Sequence, residues 1–558
     1  MTGTRRDASG WSIRWDPTLA ERYAREGHWA NLTFGAMAQQ RANEQPHRVA
    51  LAEPGQDYTF EKLYRDGLLL AKQLIARGLK PGDVVSYQLP NWYESCVVCL
   101  AAALAGLIVN PLVPIYRESE LQFILRDCRS KLIFVPEIFR GHNYIQMIHS
   151  VRRDLGHDLS VICVRGDPNE FSGWDQILKT RATATLPEVD PNTVCMALYT
   201  SGTTGRPKGV LHTHNTFVML AKQLRDLYRQ ESWDINLVVS PVTHITGMCQ
   251  AFGLPLIAGL KSFLVDIWDP VLAVEAIDRE AITVMNGATP FLAGLVSASQ
   301  ARGTHLPSLR RYICGGAAVP PQLILAAHEQ FQNCVVHRIY GSTEMGSVSS
   351  GVDSRSEIEN GAHTDGRLRS GHVRIVDPHS GAELPLGTEG EIVASGPQMF
   401  VGYANPSDNI DAFDDDGFFR TGDIGRILSG EFLIITGRKK DIIIRSGENL
   451  SPAEVENALL QHPAIKNIAI VAMPSTKTGE CACAFVEPEV GMEISLSEIS
   501  NFLTKIGLAK QKIPEWLEIV DALPLSTQGK IQKDKLRARA KKLSEEILGA
   551  ERAVLAGV

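Results

Sequence analysis

Short β-branched runs alternate with longer helical stretches through the first 370 residues of this chain of 558 residues. This alternation predicts an α/β body with largely parallel sheets, because a parallel strand pair needs a crossover long enough to hold a helix. The predicted strands are Val84–Gln88, Leu132–Val135, Val161–Val164, Val194–Leu198, Leu237–Ser240, Phe263–Ile267, Ile282–Met285, Arg311–Cys314 and Val335–Ile339.

The pattern changes beyond residue 370, where Gly and Asp turns separate the strands Val373–Val376, Glu391–Ala394 and Phe432–Ile435. These features indicate an antiparallel β subdomain. A compact α+β region follows, and Ser451 to Glu454 has the features of a helix start with a capping box. We therefore predict a large N-terminal domain, residues 1–437, with αβ-sandwich sheets plus the β subdomain, and a small mobile α+β C-terminal domain, residues 438–558.

Bulk properties exclude several classes of protein. A net charge of −7 and a pI near 6.1 argue against nucleic-acid binding. The longest apolar run, Cys96–Val109, is too short to span a membrane and predicts a buried helix, so we expect no integral membrane association. Cys96 and Cys99 form a C-x-x-C pattern, but core thiols are the favoured interpretation. We expect a cytoplasmic protein, monomeric or homodimeric, without a secretory signal.

The segment Tyr199–Gly209 is rich in glycine and hydroxyl side chains and contains a lysine. Such loops bind phosphate through backbone N–H groups, hydroxyl donors and the positive charge of the lysine. The spacing differs from that of a Walker A loop. The candidate nucleotide-binding residues are Thr200, Ser201, Gly202, Thr203, Thr204 and Lys208.

This loop and five later segments, in the same order, resemble the adenylate-forming superfamily, which includes acyl-CoA synthetases, 4-coumarate–CoA ligases, firefly luciferases and peptide-synthetase adenylation domains. The resemblance extends from about Leu32 to Leu536. The later segments are Pro241–Gly247, Tyr340–Glu344, Phe419–Asp423, Gly437–Asp441 and Pro524–Lys530. Two stretches, His363–Gly366 and Ile435–Arg445, look closest to bacterial short- and medium-chain acyl-CoA synthetases and cyclohexanecarboxylate–CoA ligases.

The resemblance implies a role for each matching residue. Lys530, His244, Thr343 and Glu344 would be catalytic: Lys530 would bridge carboxylate and phosphate, His244 would gate the acyl pocket, and Thr343 would contact the α-phosphate. Glu344 and Thr200 would hold Mg²⁺. Tyr340 and Gly341 would bind adenine, Asp423 and Arg438 the ribose, and Lys440 would be the hinge. Gly316 and Ala317 would also contact the nucleotide. Ser446 and Gly447 would lie on the face presented in the second step, where Gly447 would leave room for the pantetheine arm of coenzyme A.

The implied activity is an ATP-dependent, AMP-forming acyl-CoA ligase with ATP, Mg²⁺, coenzyme A and a small carboxylic acid as partners. Alternatives are an acyl-AMP ligase that loads a carrier protein, a luciferase-like oxygenase and a non-catalytic nucleotide-binding regulator. The uncharged stretch Ile245–Met248 disfavours amino acids. The candidate pocket walls favour a short- or medium-chain aliphatic or alicyclic acid; they are Met248, Phe252, Gly287–Thr289, Gly315–Ala318 and Met345–Val348.

His212 and His214 flank Thr213 and raise the alternative of a metal site. Without a further ligand cluster nearby, we interpret this triplet as the entry to a helix.

Overall fold

The computed structural model describes residues 3–180, 182–201, 206–316, 319–368, 372–445, 448–475, 478–525 and 530–555. The strands in chain order are β1 (Gly3–Arg6), β2 (Ser12–Trp15), β3 (Val49–Glu53), β4 (Gln56–Thr59), β5 (Val84–Tyr87), β6 (Ile108–Pro111), β7 (Leu132–Pro136), β8 (Ile138–Phe139), β9 (His142–Asn143), β10 (Ser160–Val164), β11 (Ser172–Gly173), β12 (Val194–Ser201), β13 (Pro207–Thr213), β14 (Ile235–Val238), β15 (Lys261–Leu264), β16 (Val284–Gly287), β17 (Arg311–Cys314), β18 (Val335–Arg338), β19 (Gly341–Ser342), β20 (Gly346–Ser347), β21 (His372–Val376), β22 (Gly390–Ser395), β23 (Phe419–Ile427), β24 (Leu433–Arg438), β25 (Ile443–Arg445), β26 (Glu448–Leu450), β27 (Ile465–Ser475), β28 (Gly479–Pro488) and β29 (Trp516–Ile519).

The helices in chain order are α1 (Pro17–Arg25), α2 (Phe34–Glu44), α3 (Phe60–Ala76), α4 (Tyr93–Ala105), α5 (Glu118–Asp127), α6 (Tyr144–Arg153), α7 (Trp174–Lys179), α8 (His214–Leu227), α9 (Ile245–Met248), α10 (Leu254–Ala258), α11 (Pro270–Glu280), α12 (Thr289–Arg302), α13 (Pro321–Gln330), α14 (Ile358–His363), α15 (Pro452–Leu459), α16 (Leu496–Lys505) and α17 (Lys533–Leu555). A π-helical turn, Cys249–Gly253, joins α9 to α10.

Two large sheets form the N-terminal domain. The first has the strand order β11-β10-β7-β5-β6-β12-β13, and the second has the order β18-β17-β16-β14-β15-β3-β4. Neighbouring strands are parallel in both sheets except at the edge pairs β12–β13 and β3–β4. The predicted α/β body is confirmed, with strand ends displaced by a few residues from those expected.

The main hydrophobic core lies between the two sheets. It includes Val85 of β5, Leu198 of β12, Phe217 of α8, Val238 of β14 and Val284 of β16. Because α4 and α8 lie in this core, both are largely buried, whereas a helix on the outside of a sheet shows one apolar face.

Helix α4 is the buried helix predicted from the run Cys96–Val109. It ends at Ala105 and is capped by Gly106, whose φ of 66° favours glycine at this position. Cys96 and Cys99 are buried in it, and burial raises the pKa of the Cys99 thiol to about 12, so these are packing thiols. Across the described ranges, none of the helices has the length and apolar character needed to cross a membrane.

The antiparallel β subdomain is also present, with the strand order β21-β22-β23-β24. The small C-terminal domain has a sheet of β26-β25-β28-β27 with β29 beside β28, and apolar residues are packed on both faces of this sheet. Strand β24 ends at Arg438, next to the predicted domain boundary, which stays a prediction.

The predicted capping box of α15 is wrong. Ser451 occupies the N-cap position but its hydroxyl caps no helix N–H, because it donates to the carbonyl of Thr436 in β24. The helix ends at Leu459. The serine hydroxyl therefore joins α15 to the β subdomain.

Candidate active site

The carboxyl ends of the parallel strands β14, β16, β17 and β18 lie at one edge of the second sheet. The predicted motifs Pro241–Gly247 and Tyr340–Glu344 follow β14 and β18 in sequence, and the candidate pocket walls at 287–289 and 315–318 come at the ends of β16 and β17. Ligands of open α/β sheets bind at this edge because the loops there can approach each other.

The phosphate-loop segment is a β-hairpin made by β12 and β13. Thr200 lies opposite Lys208 across the hairpin, and Ser201 lies opposite Pro207. Gly202, Thr203 and Thr204 lie in the connection between these strands, outside the described residues. The Nζ atom of Lys208 is 3.4 Å from Oδ1 of Asp408, so a carboxylate already faces the lysine that is expected to meet phosphate.

The next motif forms a second, short hairpin from β19 and β20, with Thr343 and Glu344 at its tip. A Cβ on Gly341 would lie 2.2 Å from the carbonyl oxygen of Gly346, so this position needs glycine. The carboxylate of Glu344 accepts a 2.9 Å hydrogen bond from the hydroxyl of Tyr403. Glu344 is thereby held in place by a residue outside the predicted motifs.

His212, in β13, holds the second hairpin in place through a hydrogen bond. Its Nε2 donates a 2.8 Å hydrogen bond to the carbonyl of Thr343, and burial lowers the pKa of His212 to about 4, so the ring is neutral. Thr213 caps α8 by accepting from the N–H of Thr216. The helix-entry interpretation is confirmed, because Thr213 is the N-cap and His214 the first residue of α8.

Tyr340, Asp423 and Arg438 form a connected group. The Tyr340 hydroxyl donates to Oδ2 of Asp423 at 2.6 Å, and Nε of Arg438 is 3.1 Å from Oδ1 of the same carboxylate. Asp423 and Arg438 are directly opposite in the β23–β24 pairing, so the sheet register brings them together. Asp423 raises the pKa of the Arg438 guanidinium, and this carboxylate therefore has a permanently charged partner.

His244 is the N-cap residue of α9, where its Nδ1 accepts from the N–H of Thr246 at 3.3 Å. Burial and then the charge of Lys530 lower the pKa of His244 to about 4. A Cβ on Gly247 would lie 2.1 Å from the carbonyl oxygen of Pro241, so the tight turn before this helix depends on glycine.

Lys530 comes from the C-terminal domain and completes the group. Burial and Arg438 lower the pKa of its ammonium, whereas Asp423 and Glu344 act in the opposite direction. Since Lys530 in turn lowers the pKa of His244, its charge lies within electrostatic reach of residues from four other segments. Five of the six sequence motifs therefore lie within electrostatic reach of Lys530, and Tyr403 links the phosphate hairpin to Glu344.

Other predicted residues lie elsewhere or are not described. Lys440 is directed toward α17, with its Nζ 3.8 Å from Oδ2 of Asp534. Gly316 follows β17 with a φ of 85°. Ala317, Ser446 and Gly447 lie outside the described residues.

The candidate acyl-pocket walls divide into separate groups. Met248 and Phe252 line a small buried apolar cavity with Phe34, Cys99 and Phe217. The space beside Gly287 is closed instead by other side chains, since a Cβ there would lie 3.0 Å from Phe291 and 3.1 Å from the hydroxyl of Tyr312.

The arrangement suits a polyanion accompanied by a metal ion. Lys208, Arg438 and Lys530 supply positive charge, and the carboxylate of Glu344 and the hydroxyl of Thr200 are oxygen donors of the kind that Mg²⁺ prefers.

Sequence reasoning missed Tyr403 and Asp408, which contact the motif residues. Their segment has the Gly, Asn and Pro content of an ordinary turn, so only the fold shows the contacts.

Comparison with known proteins gives the same family over both domains. Residues 38–404 match the family model of AMP-binding enzymes, and residues 454–530 match the model of the AMP-binding enzyme C-terminal domain. The medium-chain fatty-acid–CoA ligase of Escherichia coli (strain K12) is 33% identical over 523 residues, which cover 92% of each chain. The 2,3-dihydroxybenzoate-AMP ligase of Bacillus subtilis (strain 168) is 29% identical, covering 96% of this chain and 98% of that protein.

Among solved structures, ATP-bound MatB from Rhodopseudomonas palustris superposes with a TM-score of 0.81 at 26% identity, covering 92% of this chain and all of that one. The apo form of the same protein superposes with a TM-score of 0.71. The chain belongs to the AMP-binding enzyme family, and it is an AMP-forming acid–thiol ligase.

Proposed function

We propose that this enzyme activates a carboxylic acid with ATP, releasing pyrophosphate, and then transfers the acyl group from the acyl-adenylate to the thiol of coenzyme A. The observation that carries the proposal is that the charge of Lys530 acts on His244, and that Arg438, Asp423 and Glu344 act in turn on Lys530. The higher TM-score against the ATP-bound relative is consistent with an arrangement of the two domains suited to the first step.

Positive charge solves the main difficulty of the first step. A carboxylate and a triphosphate repel each other, and an ammonium group between them offsets this repulsion as the new bond forms. Lys530 would contact an oxygen of each reactant and hold the carboxylate in line with the α-phosphorus. The acid is already ionised at neutral pH, so the step needs no general base.

The residues around Lys530 would position ATP. The ribose hydroxyls would hydrogen-bond to Asp423, which Tyr340 and Arg438 hold in place. Lys208 would exchange its Asp408 partner for phosphate oxygens. Mg²⁺, when bound at Glu344 and Thr200, would neutralise phosphate charge. In the second step the C-terminal domain would rotate near Lys440, withdraw Lys530 and admit the thiol.

The acid that we propose is a short- or medium-chain aliphatic or alicyclic monocarboxylate. The uncharged residues after His244 support this choice, since an amino-acid substrate would need a partner for its ammonium group. A carrier-protein thiol is the alternative acceptor.

The test combines the purified enzyme with ATP, Mg²⁺, coenzyme A and a panel of acids. We expect acid-dependent release of pyrophosphate and AMP and formation of a thioester only when coenzyme A is present. ADP as the nucleotide product would contradict the proposal. Acyl-adenylate that accumulates and is not transferred to coenzyme A would favour a carrier protein as the acceptor.

A further inference from the structure

Tyr403 lies between the predicted metal ligand Glu344 and the phosphate-loop lysine Lys208. Its hydroxyl donates to Oε1 of Glu344 at 2.9 Å, and the Nζ of Lys208 is 5.0 Å from the centre of its ring. This second distance lies within the range of a cation–π contact, about 6 Å. Tyr403 is only 5% exposed, so both contacts are largely shielded from water.

The backbone around Tyr403 is bonded to the same two motifs. The N–H of Phe400 donates to the carbonyl of Glu344 at 2.8 Å, and the N–H of Ala404 donates to the carbonyl of Gly209 at 2.8 Å. One segment therefore spans the second hairpin and the phosphate hairpin. A displacement of this segment would move the carboxylate and the lysine together.

The segment is itself held rigidly. Asn409 accepts from the N–H of Tyr403 at 2.8 Å and donates to its carbonyl at 3.1 Å, which fixes the backbone on both sides of the residue. The ring of Tyr403 packs against Phe400 with centroids 4.9 Å apart. With backbone and ring both fixed, the hydroxyl has one orientation, directed at Glu344.

We propose that Tyr403 is a positioning residue for metal-bound ATP. Its hydrogen bond uses one lone pair of the Glu344 carboxylate and leaves other lone pairs available to a divalent cation. Its ring holds Lys208 beside Asp408, ready to meet phosphate. The inference rests on the proposed function, since it requires Glu344 to bind the metal that accompanies ATP.

The Tyr403→Phe variant tests the hydroxyl while retaining the ring. We expect its affinity for Mn²⁺ in the presence of α,β-methylene ATP, a nucleotide that cannot transfer its AMP group to the acid, to fall about tenfold, the effect of one hydrogen bond to a charged group. Electron paramagnetic resonance measures this binding without turnover. Binding of the nucleotide in EDTA should stay unchanged, because the contact of the ring with Lys208 remains.

Tyr144→Phe is the matched control, since the Tyr144 hydroxyl is buried and donates to the carbonyl of Pro114 at 2.6 Å, among residues that take no part in the proposed site. We expect its Mn²⁺ affinity to equal that of the wild type. A double-mutant cycle provides the second measurement: in a Glu344→Ala background, Tyr403→Phe should have no further effect on Mn²⁺ binding.

Three outcomes would overturn the inference: unchanged Mn²⁺ affinity in Tyr403→Phe, an equal loss in Tyr144→Phe, or an additive loss in the Glu344→Ala background. A wild-type enzyme that binds the nucleotide without any metal dependence would instead contradict the proposed role of Glu344. The failure of this inference and the failure of the proposed function are therefore distinguishable.

Discussion

The hydroxyl of Tyr340 lies 2.6 Å from Oδ2 of Asp423. Asp423 is only 9% exposed, so this hydrogen bond and the ion pair with Arg438 replace much of the hydration that its carboxylate would have in water. The tyrosine therefore has two expected functions, to stack on adenine through its ring and to orient the ribose-binding carboxylate through its hydroxyl.

Tyr340→Phe separates these two functions. We expect the KM for ATP to rise about tenfold, because a hydrogen bond to a charged group contributes about 1.5–3 kcal/mol and the stacking ring remains. The KM for the acid should not change. Steady-state kinetics with each substrate varied in turn checks this. Tyr340→Leu also removes the ring and should raise the KM for ATP further. Equal effects on both KM values would contradict the assignment.

Lys530 should control the alkaline limb of the rate profile. Burial and Arg438 lower the pKa of its ammonium, so the group loses its proton at a lower pH than an ordinary lysine does. As the pH rises through that pKa, the charge that bridges carboxylate and phosphate disappears, and kcat/KM for adenylation should fall. Measuring pyrophosphate release from pH 6 to 11 locates this limb.

Two variants show whether Lys530 causes that limb. Lys530→Ala should abolish adenylation while the melting temperature stays near that of the wild type. Lys530→Arg keeps its proton throughout this range, so any residual rate should lack the alkaline limb. An unchanged limb in Lys530→Arg, or near-normal adenylation by Lys530→Ala, would refute the catalytic role of the lysine.

His244 should remain neutral down to about pH 5, since burial and the charge of Lys530 lower its pKa to about 4. Removing that charge in Lys530→Met should raise the pKa of His244. The pKa should still stay below about 6.5, the value for an ordinary histidine, because the effect of burial remains. NMR titration of ¹³C-labelled histidine measures this shift, and His244→Gln identifies the signal. A His244 signal unaffected by Lys530→Met would show that the two groups lie apart.

Sequence patterns predicted the sheets well because buried parallel strands need nearly continuous apolar runs, as in Leu132–Pro136. The pairing of Asp423 with Arg438 needed more than the pattern. Their separate motifs become neighbours only through the register of β23 and β24, which also contains a bulge between Ile424 and Gly425. The resemblance to a family identified both residues, whereas composition and spacing alone would have given two unrelated charges.

Contacts that depend on tertiary structure could not be predicted. The serine at 451 has the local sequence of a helix cap, yet its hydroxyl donates to a carbonyl of another strand, and no local signal distinguishes the two uses. Tyr403 likewise lies in a turn-like segment that becomes part of the site only because it pairs with β13. Long-range hydrogen bonds of this kind are decided after the elements pack.

Arg14 joins the N-terminal segment, which precedes the region matched by the family model, to the segment that holds Tyr403. Its guanidinium lies 3.6 Å from the centre of the Phe413 ring and donates to the carbonyl of Gly417 at 3.1 Å, while its N–H donates to the carbonyl of Val401 at 2.8 Å. Phe413 in turn stacks on Phe400 with centroids 5.2 Å apart. Arg14 therefore supports the aromatic cluster that includes Phe400, against which the ring of Tyr403 packs.

We expect Arg14→Met to lower the free energy of unfolding by about 1–3 kcal/mol, because it removes a partly buried cation–π contact and a charge-assisted hydrogen bond but keeps an apolar side chain of similar length. Arg22→Met is the control, since Arg22 is exposed and lies 5.4 Å from the ring centre of Tyr23. Denaturant titration measures both variants. If Tyr403 also depends on this support, Arg14→Met should weaken Mn²⁺ binding with α,β-methylene ATP. Wild-type stability in Arg14→Met would show that the guanidinium contacts contribute little to the free energy of unfolding.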